Sequence, residues 1–367
     1  MTLLDGLPAV MRAAVLTRHG DLDALVVRDD WPAPRPGLGE VLVRVGACGL
    51  NATDLNTRIG WYTQGSGDGA WAQPLAFPRV QGADVCGKVV ALGAGAEPQG
   101  ELLGRRVLVD PWLRDPSRPE HEQAYGYLGS ERDGGYAEYV TVPATNAHPV
   151  ESVLSDVELA SFATSAGTAE NLLRRAGVVA GETVLVVGAS GGVGTALVEL
   201  VRARGAVPVA LCSPGKADGV LAVGADAVLD PDGDLREQLH AALGRADVDV
   251  VADVVGGPAF PAVLGCLRRF GRYTVAGAVA GPVVPLDLRS LYLGDLTVTG
   301  VTVPPPGMFA DLVGAIERGE LRPHVAATFP LEQVREAQAA FAARRYVGKL
   351  VLEVTHDDRL AGSPSHS

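Results

Sequence analysis

The chain is predicted to be an α/β protein with two architectures, a β-rich segment folded as a partly closed barrel and a doubly wound parallel sheet. Three observations predict this. Val184–Gly194 reads Val-Leu-Val-Val-Gly-Ala-Ser-Gly-Gly-Val-Gly, an apolar run entering a glycine-dense turn that leaves into a helix. Downstream of it, strand and helix patterns alternate, as a parallel sheet with crossover helices requires. Residues 11–150 instead carry short β-prone runs separated by Gly and Pro turns.

Taken in order, the first strands are Met11–Thr17, Glu40–Val45, Val85–Leu92, Arg105–Asp110 and Tyr136–Val142. Val41, Val43 and Val45 share one strand face by the period-two rule. Gly60–Pro78 has no clear period and reads as a surface loop or lid. Asp110–Gly135 is a second irregular excursion. Ser155-Asp-Val-Glu158 is a capping box that opens a helix through Ala160–Ser165, and a further helix follows Gly167. The parallel series is Thr183–Val187, Val207–Leu211, Ala227–Leu229, Val248–Ala252, Arg272–Ala276 and Leu296–Val301. Between its first two strands, Val193, Ala196, Leu197, Leu200 and Val201 form one helix face. A last strand spans Lys349–Val354, and residues 356–367 form a polar tail.

Composition narrows the function classes. The chain has 367 residues, 47% hydrophobic and 20% charged, enough to bury sizeable cores. Its net charge of −12 argues against nucleic acid and anionic membranes as partners. No apolar run reaches the ~20 residues of a membrane span, and the N-terminus lacks a signal-peptide pattern. Cys48, Cys86, Cys212 and Cys266 are far apart, so reduced thiols in the cytoplasm are expected.

The Gly188–Gly194 turn carries the chemistry. Small residues let backbone N–H groups approach phosphates, and the following helix dipole favours their charge. The pattern is A-x-G-x-x-G through Ala189, Gly191 and Gly194, with Ala where the first glycine usually stands. This is the geometry that seats a dinucleotide pyrophosphate.

Five segments now form a recognisable set: Ala47-Cys-Gly-Leu-Asn-Ala-Thr-Asp54, Gln81-Gly-Ala-Asp-Val-Cys-Gly87, Asp133-Gly-Gly-Tyr-Ala-Glu-Tyr139, Gly188–Gly194 and Gly348-Lys-Leu-Val-Leu352. Through them the chain resembles the medium-chain dehydrogenase/reductase superfamily, in its zinc-independent quinone reductase and enoyl reductase branch, over residues 11–354. The resemblance implies a GroES-like domain over 1–150 and 302–367, with a Rossmann NADP(H)-binding domain over 151–301 between them. Alcohol-oxidising relatives bind zinc through a Cys, a Gly-His-Glu segment and a later Cys or Asp. Here Cys48 is in place, but Gly82-Ala83-Asp84 replaces the His-Glu pair. No metal is expected.

By the resemblance, Thr168 lies near the nicotinamide, and Ser190, Gly191, Gly192 and Val193 lie at the pyrophosphate. Val255 and Gly256 end the fourth strand, Ala276, Gly277 and Ala278 form the loop after the fifth, and Lys349 lies near the cofactor. Thr168 also reads as a helix-starting threonine, and Val255 and Ala276 as core. The cofactor expected is NADPH. No carboxylate stands at the tip of Val207–Leu211, where one would take the ribose 2′-OH of NAD. Ser213 and Lys216 stand there instead, suited to a 2′-phosphate or to an ordinary helix-start turn. Two of the chain's three lysines are Lys216 and Lys349.

Two residues are candidates for the chemistry. Asn51 can donate a hydrogen bond to a developing oxyanion, or close an Asx turn. Asp54 reads as a cap for the helix behind it. Tyr62 matches a Gly-x-Tyr segment that, in enoyl reductases of this branch, carries a proposed proton donor; it also reads as an aromatic packing a wall. Beyond it the family loop is replaced by Thr63–Pro74, with Trp71. The expected function is hydride transfer from NADPH to an activated C=C bond or a quinone of a small-molecule substrate. The alternatives are a same-fold tailoring enzyme (alcohol/ketone oxidoreductase or cyclase) and a non-catalytic NADPH-binding protein. The resemblance also implies a homodimer through the edge strand 296–301, read as a buried apolar edge.

Overall fold

The structure, a computed structural model, describes residues 7–63, 75–96 and 101–356. Residues 64–74 of the loop expected over Gly60–Pro78, Trp71 included, and residues 357–367 of the tail expected over 356–367 lie outside them. The chain divides into two compact units. One takes the residues up to Thr164, then Val325–Arg345 and the chain from Lys349 on; the other takes Ser165–His324 and Tyr346–Gly348. These junctions fall later than the 150/151 and 301/302 read from the sequence. The capping-box helix and Thr164 are tied into the first unit, Thr164 by its N–H to Asp84 Oδ1 at 2.9 Å. The helix Met308–Glu317 belongs to the second, where Asp311 pairs with Arg174 at 2.9 Å.

The first unit is built mainly on a seven-stranded sheet. Its central strand Glu40–Gly49 pairs antiparallel with Asp84–Leu92, Tyr139–Pro143 and Lys349–Glu353. Val41, Val43 and Val45 are buried as their alternation predicts, and Leu42 is buried as well, so both faces of the strand are covered. Lys349–Glu353 also pairs parallel with Val325–Pro330, which brings late residues beside Cys48 and Gly49. Two expectations shift. Tyr136–Glu138 precede the strand because the Tyr136 N–H goes to the Gln81 carbonyl and Ala137 bridges Ala13. The excursion Asp110–Gly135 contains a short hairpin, Trp112–Arg114 against Ala124–Tyr127.

The second unit holds a six-stranded parallel sheet. Its spatial order is Ala227–Leu229, Val207–Leu211, Thr183–Val187, Val248–Asp253, Leu267–Val275 and Thr297–Gly300. The order reverses between Thr183–Val187 and Val248–Asp253, and ligands bind at such a switch point, beyond the carboxyl ends of the strands. The helix Gly192–Ala203 buries Ala196, Leu197, Leu200 and Val201 on the expected face. Burying each of the larger ones contributes about 1.5–3 kcal/mol.

One expectation changes in this unit. A single helix runs Ala163–Ala176, so Thr168 lies inside it rather than starting it. The reason is the apolar stripe Ala163, Ala166, Ala169, Leu172, Leu173, which is already buried from its first residue. The last strand, Thr297–Gly300, stands at one edge of the sheet, paired with Leu267–Val275, and within the single chain Val298 is 40% exposed. Among the described residues, no helix is long and apolar enough to cross a membrane.

Candidate active site

In the second unit, Thr183–Val187 ends at Gly188, whose φ of +82° is left-handed backbone that favours glycine. The chain then turns through Ser190 to the helix beginning at Gly192, and the Gly191 N–H returns to the Gly188 carbonyl at 3.2 Å. A Cβ at Gly194 would collide with that carbonyl and lie 2.5 Å from Ala189 Cα, so only glycine fits. A Cβ at Gly191 would meet only the Gly188 oxygen, at 3.8 Å, which leaves this side of the turn open.

Lys216 is brought to the same turn. Its Nζ donates to Ser190 Oγ at 3.3 Å, and its backbone N–H to the Ser213 carbonyl at 3.0 Å. Ser213 itself is exposed. Val255 and Gly256 are fixed by Asp253, which accepts their N–H groups at 2.6 and 3.1 Å and also accepts from the Tyr273 hydroxyl. Ala276 donates to the Asp253 carbonyl at 3.0 Å, a Cβ at Gly277 would lie 2.7 Å from the Val254 oxygen, and one at Gly256 would lie 3.3 Å from Ala278 Cα. The structure thus draws 188–194, 254–256 and 276–278 together at the switch point. Thr168 is half-buried in its helix. Sequence reasoning missed Asp253 and Tyr273; an aspartate closing an apolar strand just before a glycine pair was the available signal. The assembled residues fit a dinucleotide: a glycine cradle, free backbone donors at a helix N-terminus and one ammonium.

In the first unit, Asn51 precedes the helix Ala52–Ile59, and its backbone N–H donates to Asp54 Oδ2 at 2.7 Å. Asp54 thereby supplies a cap, as its spacing predicts. The Tyr136 hydroxyl donates to the same oxygen at 2.8 Å. Burial, opposed by these hydrogen bonds, pushes the Asp54 carboxyl up to about 6. Asn51 and Asp54 form a capping box at the start of this helix. Asn51 Oδ1 accepts from Lys349 Nζ, while Nδ2 is buried with no hydrogen-bond partner among the described residues.

Lys349, which the resemblance sets near the cofactor, spends a second N–H on Asp84 Oδ2 at 2.8 Å. Asp84 Oδ1 accepts from the N–H and hydroxyl of Thr164, and Thr164 Oγ1 bonds the Tyr127 hydroxyl at 2.7 Å. Burial raises the phenols of Tyr127 and Tyr136 well above the usual range, so both stay protonated. Thr164, Tyr127 and Tyr136 carried no sequence signal for this role. Tyr62 sits in a short turn, 41% exposed, its hydroxyl accepting from Asn56 Nδ2 at 3.3 Å.

The same residues do not fit a zinc ion. Burial and the charges of Asp54 and Asp84 hold the Cys48 thiol well above its ordinary value. A Cβ at Gly82 would strike the Tyr136 ring and lie 2.8 Å from Cys48 Sγ, so the sulfur is tightly packed. The cation beside Asp84 is the Lys349 ammonium. Among the described residues, no group of three or more His, Cys, Asp or Glu is placed to hold a metal.

Comparison with known proteins identifies the family. Residues 37–152 match the family described as Alcohol dehydrogenase GroES-like domain, and residues 223–352 that described as Zinc-binding dehydrogenase. Prostaglandin reductase-3 of Bos taurus is 30% identical, over 79% of this chain and 69% of its own. A solved putative alcohol dehydrogenase from Sinorhizobium meliloti is 46% identical with a TM-score of 0.89, over 96% of this chain and 99% of its own. A mycobacterial protein solved in complex with NADPH is 29% identical with a TM-score of 0.77, over 94% and 99%. NAD-dependent alcohol dehydrogenases also match. The chain therefore belongs to the medium-chain dehydrogenase/reductase superfamily, in its zinc-independent, quinone oxidoreductase-like branch of nicotinamide-dependent oxidoreductases.

Proposed function

We propose that this protein is an NADPH-dependent reductase of carbonyl-conjugated C=C bonds or quinones. The observation that carries the cofactor choice is the Lys216 ammonium on Ser190 Oγ, at the end of a strand followed by Cys212-Ser-Pro-Gly-Lys216 with no carboxylate. A 2′-phosphate meets a charge and hydroxyl donors there, whereas a bare ribose finds no acceptor. Gly192 and Val193 offer backbone N–H groups to the pyrophosphate. The bound dinucleotide supplies the hydride.

The chain's own task is then to manage charge and proton on the acceptor. Asn51 Nδ2 is a buried donor suited to an oxygen that gathers negative charge. The exposed Tyr62 hydroxyl is the acid we assign to the α-carbon; Tyr62→Phe should slow enone reduction and spare quinones. All four cysteines are free and buried, which suits a reducing compartment, and we assign the cytoplasm.

The test is dinucleotide binding by calorimetry, with NADPH oxidation followed against enones, enoyl thioesters and quinones. Lys216→Ala should weaken NADPH by about 10- to 100-fold, about 1.4–2.7 kcal/mol, and leave NADH within a few-fold. Equal losses for both would remove the 2′-phosphate assignment.

A further inference from the structure

We propose that Lys349 is a positioning residue, held by Asp84, that fixes the amide of Asn51 so that Nδ2 donates to the substrate's carbonyl oxygen. The proposal rests on the reductase reading and adds the device that orients its donor.

The orientation follows from donor counting. An ammonium has only donors, so the Asn51 atom it meets must be the carbonyl oxygen, and the NH₂ is forced to the other side. A flipped amide would set NH₂ against NH₃⁺. Both ends of Asn51 are held, the backbone N–H by Asp54 and the side-chain oxygen by Lys349. Asn51 is only 6% exposed, and its Nδ2 still finds no partner among the described residues. A buried amide donor left unmade costs free energy, and an arriving acceptor removes that cost.

The ion pair behind it makes poor sense as a stability device. Lys349 and Asp84 are 4% and 0% exposed, and apolar residues of similar volume commonly replace such a pair without loss. The bonds around the pair hold the ammonium in place: Asp84 Oδ2 on Lys349, Asp84 Oδ1 on Thr164, and Thr164 on Tyr127. The ammonium also polarises the amide it touches, which strengthens the N–H groups opposite.

In the reduction, hydride forms a C–H bond at the β-carbon of the conjugated alkene. The alkene pair shifts toward the carbonyl, and negative charge gathers on its oxygen. A proton then completes the α-carbon, and the nicotinamide has lost two electrons. The Asn51 donor acts where that charge collects and leaves the substrate's atoms otherwise untouched.

The experiment is a double-mutant cycle on the full-length enzyme. Asn51→Ala should lower kcat for an enone by about 100-fold, with the Kd for NADPH within threefold. Because Lys349→Met alone strands a buried carboxylate, Asp84→Asn/Lys349→Met removes both charges together. It should lower kcat at least tenfold, and cost less than a further twofold when added to Asn51→Ala. Multiplicative losses, or an unchanged kcat, would overturn the positioning role. Loss of NADPH affinity in Asn51→Ala would reassign the donor to the cofactor. 4-Nitrophenol separates failure of this inference from failure of the reductase reading. The wild type should lower its apparent pKa and Asn51→Ala should not, even if no acceptor were reduced; no shift in the wild type would count against the donor.

Discussion

The two units build their candidate sites from different kinds of group. At the parallel sheet, the working groups are backbone N–H donors, and glycines make room for them. In the antiparallel unit they are side chains from five distant segments, Asn51 and Asp54, Asp84, Tyr127 and Tyr136, Thr164 and Lys349, joined in hydrogen-bonded chains. A backbone site tolerates side-chain change and fails on any Cβ that collides. A side-chain site tolerates backbone adjustment and fails when one donor or acceptor is lost. The difference can be broken by experiment.

The largest effect is expected at Gly194. An added methyl must displace the Gly188 carbonyl and Ala189, a backbone collision that nothing flexible can absorb. Gly194→Ala should weaken dinucleotide binding by about 100-fold, roughly 2.7 kcal/mol, and lower Tm. Gly191→Ala is the control, because its φ of −81° suits alanine and its Cβ meets only an oxygen at 3.8 Å. It should melt like the wild type and still bind the dinucleotide more weakly. Wild-type affinity in both variants, measured by calorimetry, would show that the turn does not carry the phosphates.

This contrast also explains what the sequence disclosed. The strands Thr183–Val187, Val207–Leu211 and Ala227–Leu229 stand where their apolar runs predicted, because strand, turn and helix lie together in the chain. Asn51 and Lys349 were flagged too, but 298 positions separate them, and nothing local says that one holds the other. Thr164 and Tyr127 were invisible for the same reason. Thr168 was misplaced because Gly167 read as a break, while the stripe from Ala163 overrides the cost of a glycine within the helix.

A second difference lies at the surface. Exposed large apolar residues are scattered in the first unit, but Phe270, Val283, Leu288, Tyr292, Leu293 and Val298 crowd into one stretch of the second, beside an open sheet edge. We propose that such a patch, beside a strand with one open edge, is an association surface for a second copy of the chain. Light scattering should report a dimer for the wild type, with Val298→Lys/Leu288→Lys shifted to monomer and dinucleotide affinity held within threefold. A monomeric wild type at tens of micromolar would remove the assignment.

The smallest effect sharpens the comparison within the first unit, between two acids. Asp84 is deeply buried and satisfied by an ammonium and Thr164. Asp110 accepts the Trp112 N–H at 3.0 Å, with the Arg114 charge nearby, and burial still outweighs both and pushes it up to about 6. A folded pKa above the unfolded value of about 3.9 means that the native state binds the proton more tightly. The resulting stabilisation is full below pH 4, fades as pH rises, and is gone above about 6, where an ionised Asp110 must be carried. The full shift would be roughly 3 kcal/mol, which partial exposure reduces to about 1. Asp110→Asn keeps the acceptor for Trp112 without the charge. It should therefore gain about 1 kcal/mol in urea melts at pH 7.5 and almost nothing at pH 4. An equal gain at both pH values would trace the effect to packing, and a loss at pH 7.5 would mean that the Arg114 charge, rather than burial, governs this carboxylate.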